Sequence, residues 1–336
     1  MSKWYASCGK EADTVISTRI RLARNIAGIP FPSRMSAEQR AEVNKAVKDA
    51  VFSDPSRAKQ FKYLEMSTLP DITVMSMVER HLISPEFAQN RDGKALILSD
   101  DESISIMLCE EDHIRIQVMR AGFAPDEAYA EADRIDDIIG ESVKYAFNER
   151  LGYLTECPTN LGTGLRASLM LHLPALENCG AVNRLAATVS KIGLTIRGTY
   201  GEGSKASAAM YQLSNQVTLG ISEHAAIENL KSIAAQAIAQ ERSARGNLDP
   251  DSLEDTAFRA LGTLKYARAM SSEEFMGLIS RVRLGISMGI IKEVPLETAE
   301  ALIVEAGAAT VQAAAGEPLD APQRDKLRAK IIRERL

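Results

Sequence analysis

Apolar and polar residues alternate over residues 16–22, with Ile16, Thr18, Ile20 and Leu22 on one face and Ser17, Arg19 and Arg21 on the other. A period of two predicts a half-buried strand, here one that presents both arginines to the same side. The alternation returns where Ile114, Ile116 and Val118 interleave with His113, Arg115 and Gln117, and where Ala167, Leu169, Leu171 and Leu173 leave Arg166 and Ser168 on the opposite face. Residues 94–99 and 103–109 read as strands parted by the turn Asp100-Asp101-Glu102. Residues 194–199 and 208–214 read as two more around a glycine-rich loop, 200–205.

Helical signals fall between these strands. Ser36-Ala37-Glu38-Gln39 is a capping box opening a helix to about residue 52, and residues 126 to about 151 form a long helical stretch ended by Gly152. Beyond residue 222 the strand-like alternation largely stops. Residues 222–245 are helical by pattern and Gly246-Asn247 breaks them. Ser271-Ser272-Glu273-Glu274 is a second capping box, the alanine-rich 308–315 favours helix, and Asp320-Ala321-Pro322 opens a last segment. The pattern predicts an α+β fold, an antiparallel sheet flanked by helices over residues 1–240, followed by an α-helical domain over 241–336.

Composition narrows the class without naming it. A chain of 336 residues, 45% hydrophobic and 25% charged, has the make-up of a soluble globular protein with room for two domains. The net charge of −5 argues against a nucleic-acid partner. No apolar run has the length of a membrane span, and residues 1–10 lack the apolar core of a signal peptide. Cys8, Cys109, Cys157 and Cys179 show no CxxC spacing, which argues against zinc and a disulfide framework. A reducing cytoplasm is the expected compartment.

Five arginines in short motifs carry the candidate chemistry. Arg19 and Arg21 lie in Ser17-Thr18-Arg19-Ile20-Arg21, Arg115 follows Glu110-Glu111-Asp112-His113-Ile114, and Arg166 follows the loop from Cys157 through Gly162 and Gly164. Arg197 opens Arg197-Gly198-Thr199-Tyr200-Gly201-Glu202. Each motif alone reads as an exposed strand face, an acidic turn or a glycine turn. The acids beside His113 fit no standard metal-ligand spacing. Together, several guanidiniums suit a polyphosphate, because each presents a rigid fork of donors and keeps its charge. Glutamates beside anionic phosphates make sense if the phosphoryl acceptor is a cation that must be oriented and deprotonated. The residues point to a guanidino kinase.

The motifs STRIRLARN, EEDHIRIQ, CPTNLGTG-LRAS and RGTYGEGS resemble those of the phosphagen kinases, over about residues 13–225, and more fully those of the bacterial protein arginine kinases, the McsB family. The resemblance implies that Glu111 is the catalytic base and Glu202 the second carboxylate holding the guanidinium. It implies that Arg19, Arg21, Arg115, Arg166 and Arg197 bind phosphates, within nucleotide-contacting stretches Ser17, Thr18, Arg19, Ile20 and Arg21; Arg166, Ala167, Ser168, Leu169 and Met170; and Arg197, Gly198, Thr199, Tyr200, Gly201 and Glu202. His81 matches a histidine near the nucleoside and Cys157 a reactive cysteine, while Cys109 stands where the motif usually carries Asn. Arg324, Asp325, Lys326, Leu327, Arg328 and Ala329 match an RDxxRA motif that binds phosphoarginine allosterically in the family.

What the family likeness implies for activity is phosphorylation of protein arginines by ATP, with Mg²⁺ bound through the nucleotide and no protein-held metal. It implies a zinc-binding activator, a Clp-type chaperone-protease that receives the marked proteins, and a homodimer or higher oligomer, with no nucleic acid or membrane partner. The first motif begins at Ser17, so the N-terminal helical domain of the phosphagen kinases is expected to be missing. A kinase of free arginine or another small guanidine, and a phosphoarginine-binding adaptor with little catalysis, are the alternatives.

Overall fold

The computed structural model describes residues 3–198 and 208–336. Its first half runs β1 (Val15–Arg24), α1 (Ala37–Val51), α2 (Pro55–Ala58), β2 (Phe61–Glu65), α3 (Asp71–Glu79), α4 (Pro85–Ala88), β3 (Ala95–Ser99), β4 (Ile104–Leu108) and β5 (Ile114–Ala121). It continues through α5 (Pro125–Gly140), β6 (Phe147–Asn148), β7 (Gly152–Tyr153), β8 (Leu165–His172), α6 (Pro174–Asn178), α7 (Val182–Ser190), β9 (Leu194–Gly198) and β10 (Met210–Asn215). From there the chain is helical: α8 (Glu223–Arg245), α9 (Pro250–Tyr266), α10 (Ser272–Ser287), α11 (Leu296–Glu305), α12 (Ala308–Ala315) and α13 (Ala321–Arg335).

Eight strands form one sheet in the order β2-β3-β4-β5-β1-β8-β10-β9, every neighbouring pair antiparallel. The alternation read from sequence sets its two faces. Ile20, Leu22, Ile114, Ile116, Val118, Ala167, Leu169 and Leu171 are fully buried in one core with α5 and α8. Each large aliphatic side chain so buried contributes about 1.5–3 kcal/mol. The opposite face carries the arginines. A smaller apolar cluster built on Met77, Leu82, Phe87 and Met107 lies under α3 and α4.

Three local expectations are corrected. A bulge between Val15 and Ser17 puts Val15 in the core, so that Ile16 borders the arginine-side cavity. The helix expected to reach residue 151 stops at Gly140. Beyond it the amide of Ala146 donates to Asn25 O at 2.7 Å and that of Ala27 to Lys144 O at 2.8 Å, which holds the segment extended beside β1 before the β6–β7 hairpin. Ser271 caps α10 by accepting from the Glu274 amide at 3.1 Å, as a simple cap and not a reciprocal box. Boxes do form at Ser36 with Gln39 and at Asp320 with Gln323.

The helix α8 runs unbroken through residue 240, and a separate core of Ala257, Leu264, Phe275, Ile279, Val282, Leu302 and Ile332 follows. A buried polar network ties it to the sheet. Arg283 donates to Glu300 Oε1 and His172 Nδ1, both at 2.8 Å, and to the carbonyls of Ala12 and Asp13. That bond makes Nδ1 the acceptor, so His172 Nε2 carries the hydrogen and donates to Ser280 Oγ at 2.8 Å. Glu79 completes the join. Its carboxylate accepts from the amides of Ala309 and Thr310 at 2.8 Å, at the start of α12.

Candidate active site

Register across β5, β1, β8, β10 and β9 assembles one polar face. Arg21 stands opposite Gln117 on one side and Arg166 on the other, and Ala23 opposite Arg115. One step along, Arg19 is opposite Met119 and Ser168; one step further Ser17, Met170, Gln212 and Arg197 fall in a row. These side chains border a cavity of about 750 Å³ that also takes in His81 and Ser84. Five arginines far apart in sequence thus meet because strand pairing brings them together. Thr18, Ile20, Ala167 and Leu169, in the same stretches, are turned the other way and buried. Thr18 Oγ1 donates to Gly122 O at 2.6 Å.

The acidic motif is a tight loop between β4 and β5. Cys109 adopts a left-handed φ of 61°, and its amide donates to His113 O at 2.9 Å. Asp112 and His113 are fully buried and serve as struts. Asp112 Oδ1 accepts from Asn25 Nδ2 at 2.7 Å and from the Glu156 amide at 2.9 Å, while His113 Nδ1 accepts from the Ile26 amide and Nε2 donates to Pro30 O. Burial raises the Asp112 carboxyl above the usual range and lowers His113, which fits a neutral imidazole in these bonds. The Cys109 thiol is fully buried and burial pushes it up to about 12, so it is an inert packing group beside Asn44.

The two glutamates are consequently unlike. Glu110 is buried against Arg115 at 2.5 Å and accepts from Ser84 Oγ, while Glu111, 41% exposed at its side chain, meets Arg115 at 3.2 Å and Asn160 Nδ2 at 3.4 Å. Glu110 fixes the arginine; Glu111 reaches open space beside it. Asn160 belongs to the loop that carries Cys157, whose Sγ lies 3.0 Å from Thr159 Oγ1. In that loop Gly162 has a φ of 111° and so little room that a Cβ would meet Thr218 O at 2.2 Å.

Crowded guanidiniums dominate the electrostatics. Burial, then repulsion from Arg115 and Arg166, takes Arg19 down to about 10, which leaves it charged at neutral pH. Arg21 is also lowered well below its ordinary value, by burial and by Arg19, Arg115 and Arg166, and Arg166 is lowered by burial and by Arg197 and Arg115. Such a cluster is relieved by a polyanion. His81, at a left-handed φ of 60° just past α3, is taken down to about 4 by burial and by Arg19.

The structure therefore brings together Ser17, Arg19, Arg21, His81, Arg115, Arg166, Ser168, Met170, Arg197 and Gly198 around one cavity, with Glu111 held by Arg115 at its rim. Thr199, Tyr200, Gly201 and Glu202 lie outside the described residues. The C-terminal motif is elsewhere, on α13. Arg328 there is 1% exposed and spends its donors on Ala306 O, Met270 O and Asp325 Oδ1 at 2.6–2.8 Å, while Arg324 bonds Leu319 O and Asp325 is a third exposed. Arg24 and Asn25 end the STRIRLARN motif, where spacing gives them no role. Arg24, also buried, pairs with Asp136 and Glu223 and lies 3.6 Å over the Tyr153 ring, while Asn25 holds the acidic loop.

Residues 42–244 match the ATP:guanido phosphotransferase, C-terminal catalytic domain, and residues 250–336 match the protein-arginine kinase McsB C-terminal domain. The protein-arginine kinase of Halothermothrix orenii is 44% identical over 339 residues, which span 100% of this chain and 97% of that protein. That of Desulforamulus reducens is 45% identical over 341 residues, spanning 100% of this chain and 95% of the relative. Among solved structures, a lombricine kinase aligns with a TM-score of 0.62 at 26% identity, over 74% of this chain and 71% of its own.

Proposed function

The chain belongs to the ATP:guanido phosphotransferase family, among the protein-arginine kinases, and from that premise we propose that it transfers the γ-phosphoryl group of ATP to arginine side chains of proteins. One observation carries the assignment of roles: Arg19, Arg21, Arg115, Arg166 and Arg197 border one cavity, with Glu111 held at its edge by Arg115. The arginines grip the phosphates and neutralise charge spreading over the transferring group. A terminal guanidinium nitrogen of the acceptor attacks the γ-phosphorus and gives its proton to Glu111. The bond from γ-phosphorus to the bridging oxygen breaks, and ADP leaves with that electron pair. Glu202 is read as the second carboxylate on the guanidinium by family likeness alone.

Among the described residues no three His, Cys, Asp or Glu side chains gather as a metal site. The donor set is cationic, and Glu110 is already paired, so a Mg²⁺ would be carried by phosphate oxygens and would add charge neutralisation there. The proposal extends, on family likeness, to a cytoplasmic enzyme working as a homodimer or larger assembly. Its products are read as marked for a Clp-type chaperone-protease, with a zinc-binding activator, and Arg324 and Asp325 as the accessible part of a phosphoarginine site. The catalytic unit is placed at residues 1–240 and the helical unit at 241–336.

Incubation with ATP, a mixed protein substrate and free arginine tests the reading. Acid-labile phosphate on protein arginines is expected. Phosphate on free arginine alone would instead make the acceptor a small guanidine, and phosphoarginine binding without turnover would favour an adaptor.

A further inference from the structure

The cavity over the arginine face is walled on one side by the helical domain. Phe275 and Met276 of α10, Val304 of α11 and residues 306–308 border it, as do Met170 and Met210 of the sheet. Its two ends differ in character. At one, Arg21 and Arg166 stand in register and Arg115 holds Glu110 and Glu111. Four residues along β8, Met170 stands opposite Ser17 and Gln212, with Arg197 beyond Gln212 on the edge strand and its charge acting on Arg166, and Met210 stands opposite His172. At about 3.4 Å per residue this is roughly 14 Å, comparable with the reach from terminal phosphate to base in a nucleoside triphosphate. The helical domain is seated at that far end, where Ser280 bonds His172 and donates to Ala208 O at 2.9 Å. With the γ-phosphate beside Glu111, the base falls between the sheet methionines and the helices.

We propose that the nucleoside of ATP is held between the sheet and the C-terminal helical domain, with Met276 and Val304 as its wall, so that the helical domain is part of the nucleotide site. The proposal rests on the phosphotransferase reading above and assigns the substrate's other half. Val304 is 8% exposed and borders the cavity. Methionines and a valine around a flat base match the apolar lining of nucleoside-sized pockets. The wall is set from both sides. Glu79 of the catalytic domain caps α12, and Arg328 of the C-terminal motif donates to the carbonyl of Ala306, which itself borders the cavity.

Calorimetric titration of ATP and of inorganic tripolyphosphate, which has no nucleoside, into the full-length parent, Val304→Trp and Met276→Ala tests this. ATP should bind Val304→Trp roughly tenfold more weakly or worse, while tripolyphosphate binds all three alike, which also reports that the sheet is intact. Unchanged ATP affinity in both variants overturns the proposal. If Val304→Trp weakens both ligands, its bulk has disturbed the phosphate face and Met276→Ala decides: a loss confined to ATP supports the wall, no loss overturns it. Tripolyphosphate that fails to compete with ATP on the parent overturns the phosphate reading itself, and the wall with it.

Discussion

Glu110 and Glu111 are adjacent in sequence and identical in chemistry, yet only the second is open to an acceptor. Arg115 and Ser84 occupy Glu110, whereas Glu111 is exposed beside the same guanidinium. Glu111→Gln keeps the shape and removes the base, so turnover should fall by about 10²–10⁴ with ATP affinity within a few-fold of the parent. Single-turnover phosphorylation and nucleotide titration check this, and near-normal transfer would remove Glu111 from the mechanism. His81 yields a pH prediction. Its folded value of about 4 lies below the ordinary 6.5, through burial and Arg19. The folded protein therefore resists the proton that the unfolded chain accepts, so this contribution is complete above 6.5 and is lost as pH falls towards 4. An NMR titration should show His81 neutral, with no inflection, between pH 5.5 and 7.5.

Among the elements, α13 shows one arginine of its motif turned to structural use. Arg324 and Arg328 share a helix face by spacing, but Arg328 is drawn inward to the carbonyls of Ala306 and Met270, at the end of α11 and the approach to α10. Arg328→Ala would leave those two buried acceptors unpaired, each costing about 1–3 kcal/mol. A lowered urea midpoint is expected, with Arg324→Ala close to the parent; equal midpoints for the two variants would contradict the packing role. The β4–β5 loop is similar in kind. EEDH looked like an acidic turn with one useful glutamate, whereas Asp112 and His113 are struts that Asn25, from another strand, ties down. Spacing along the chain identified the loop, but the partner that orders it lies 87 residues away.

At the scale of the molecule, a buried polar network joins the two cores. Arg283, itself buried, sits between buried Glu300 and His172 and the carbonyls of residues 12 and 13. Removing one partner of a buried pair costs about 3–5 kcal/mol, whereas replacing both by apolar groups is often close to neutral. Arg283→Met should thus lower stability sharply and separate the unfolding of the two domains, while Arg283→Met with Glu300→Leu recovers much of the loss. Chemical denaturation followed by separate probes in each domain measures both; a single mutant as stable as the double would show that the network does not join the domains.

Alternation along the chain was enough to predict the strands with Arg19, Arg115 and Arg166 on their polar faces, because a strand's period of two is a local property that burial of one face makes decisive. Caps at Ser36 and Asp320, and the break at Gly246, were legible for the same reason: a helix end is satisfied by residues a few positions apart. Where α5 ends was not legible, since Ile139, Val143, Phe147 and Leu151 continue an i, i+4 apolar spacing past Gly140, and it is the bonds to Asn25 O and from the Ala27 amide that hold the segment extended. Nor could spacing say that β1 lies between β5 and β8, which is what gathers the guanidiniums, or that Phe275, Met276 and Val304 stand beside them. Those facts depend on contacts between residues far apart in sequence. Such pairings are chosen by the packing of whole faces, and no window of sequence contains them.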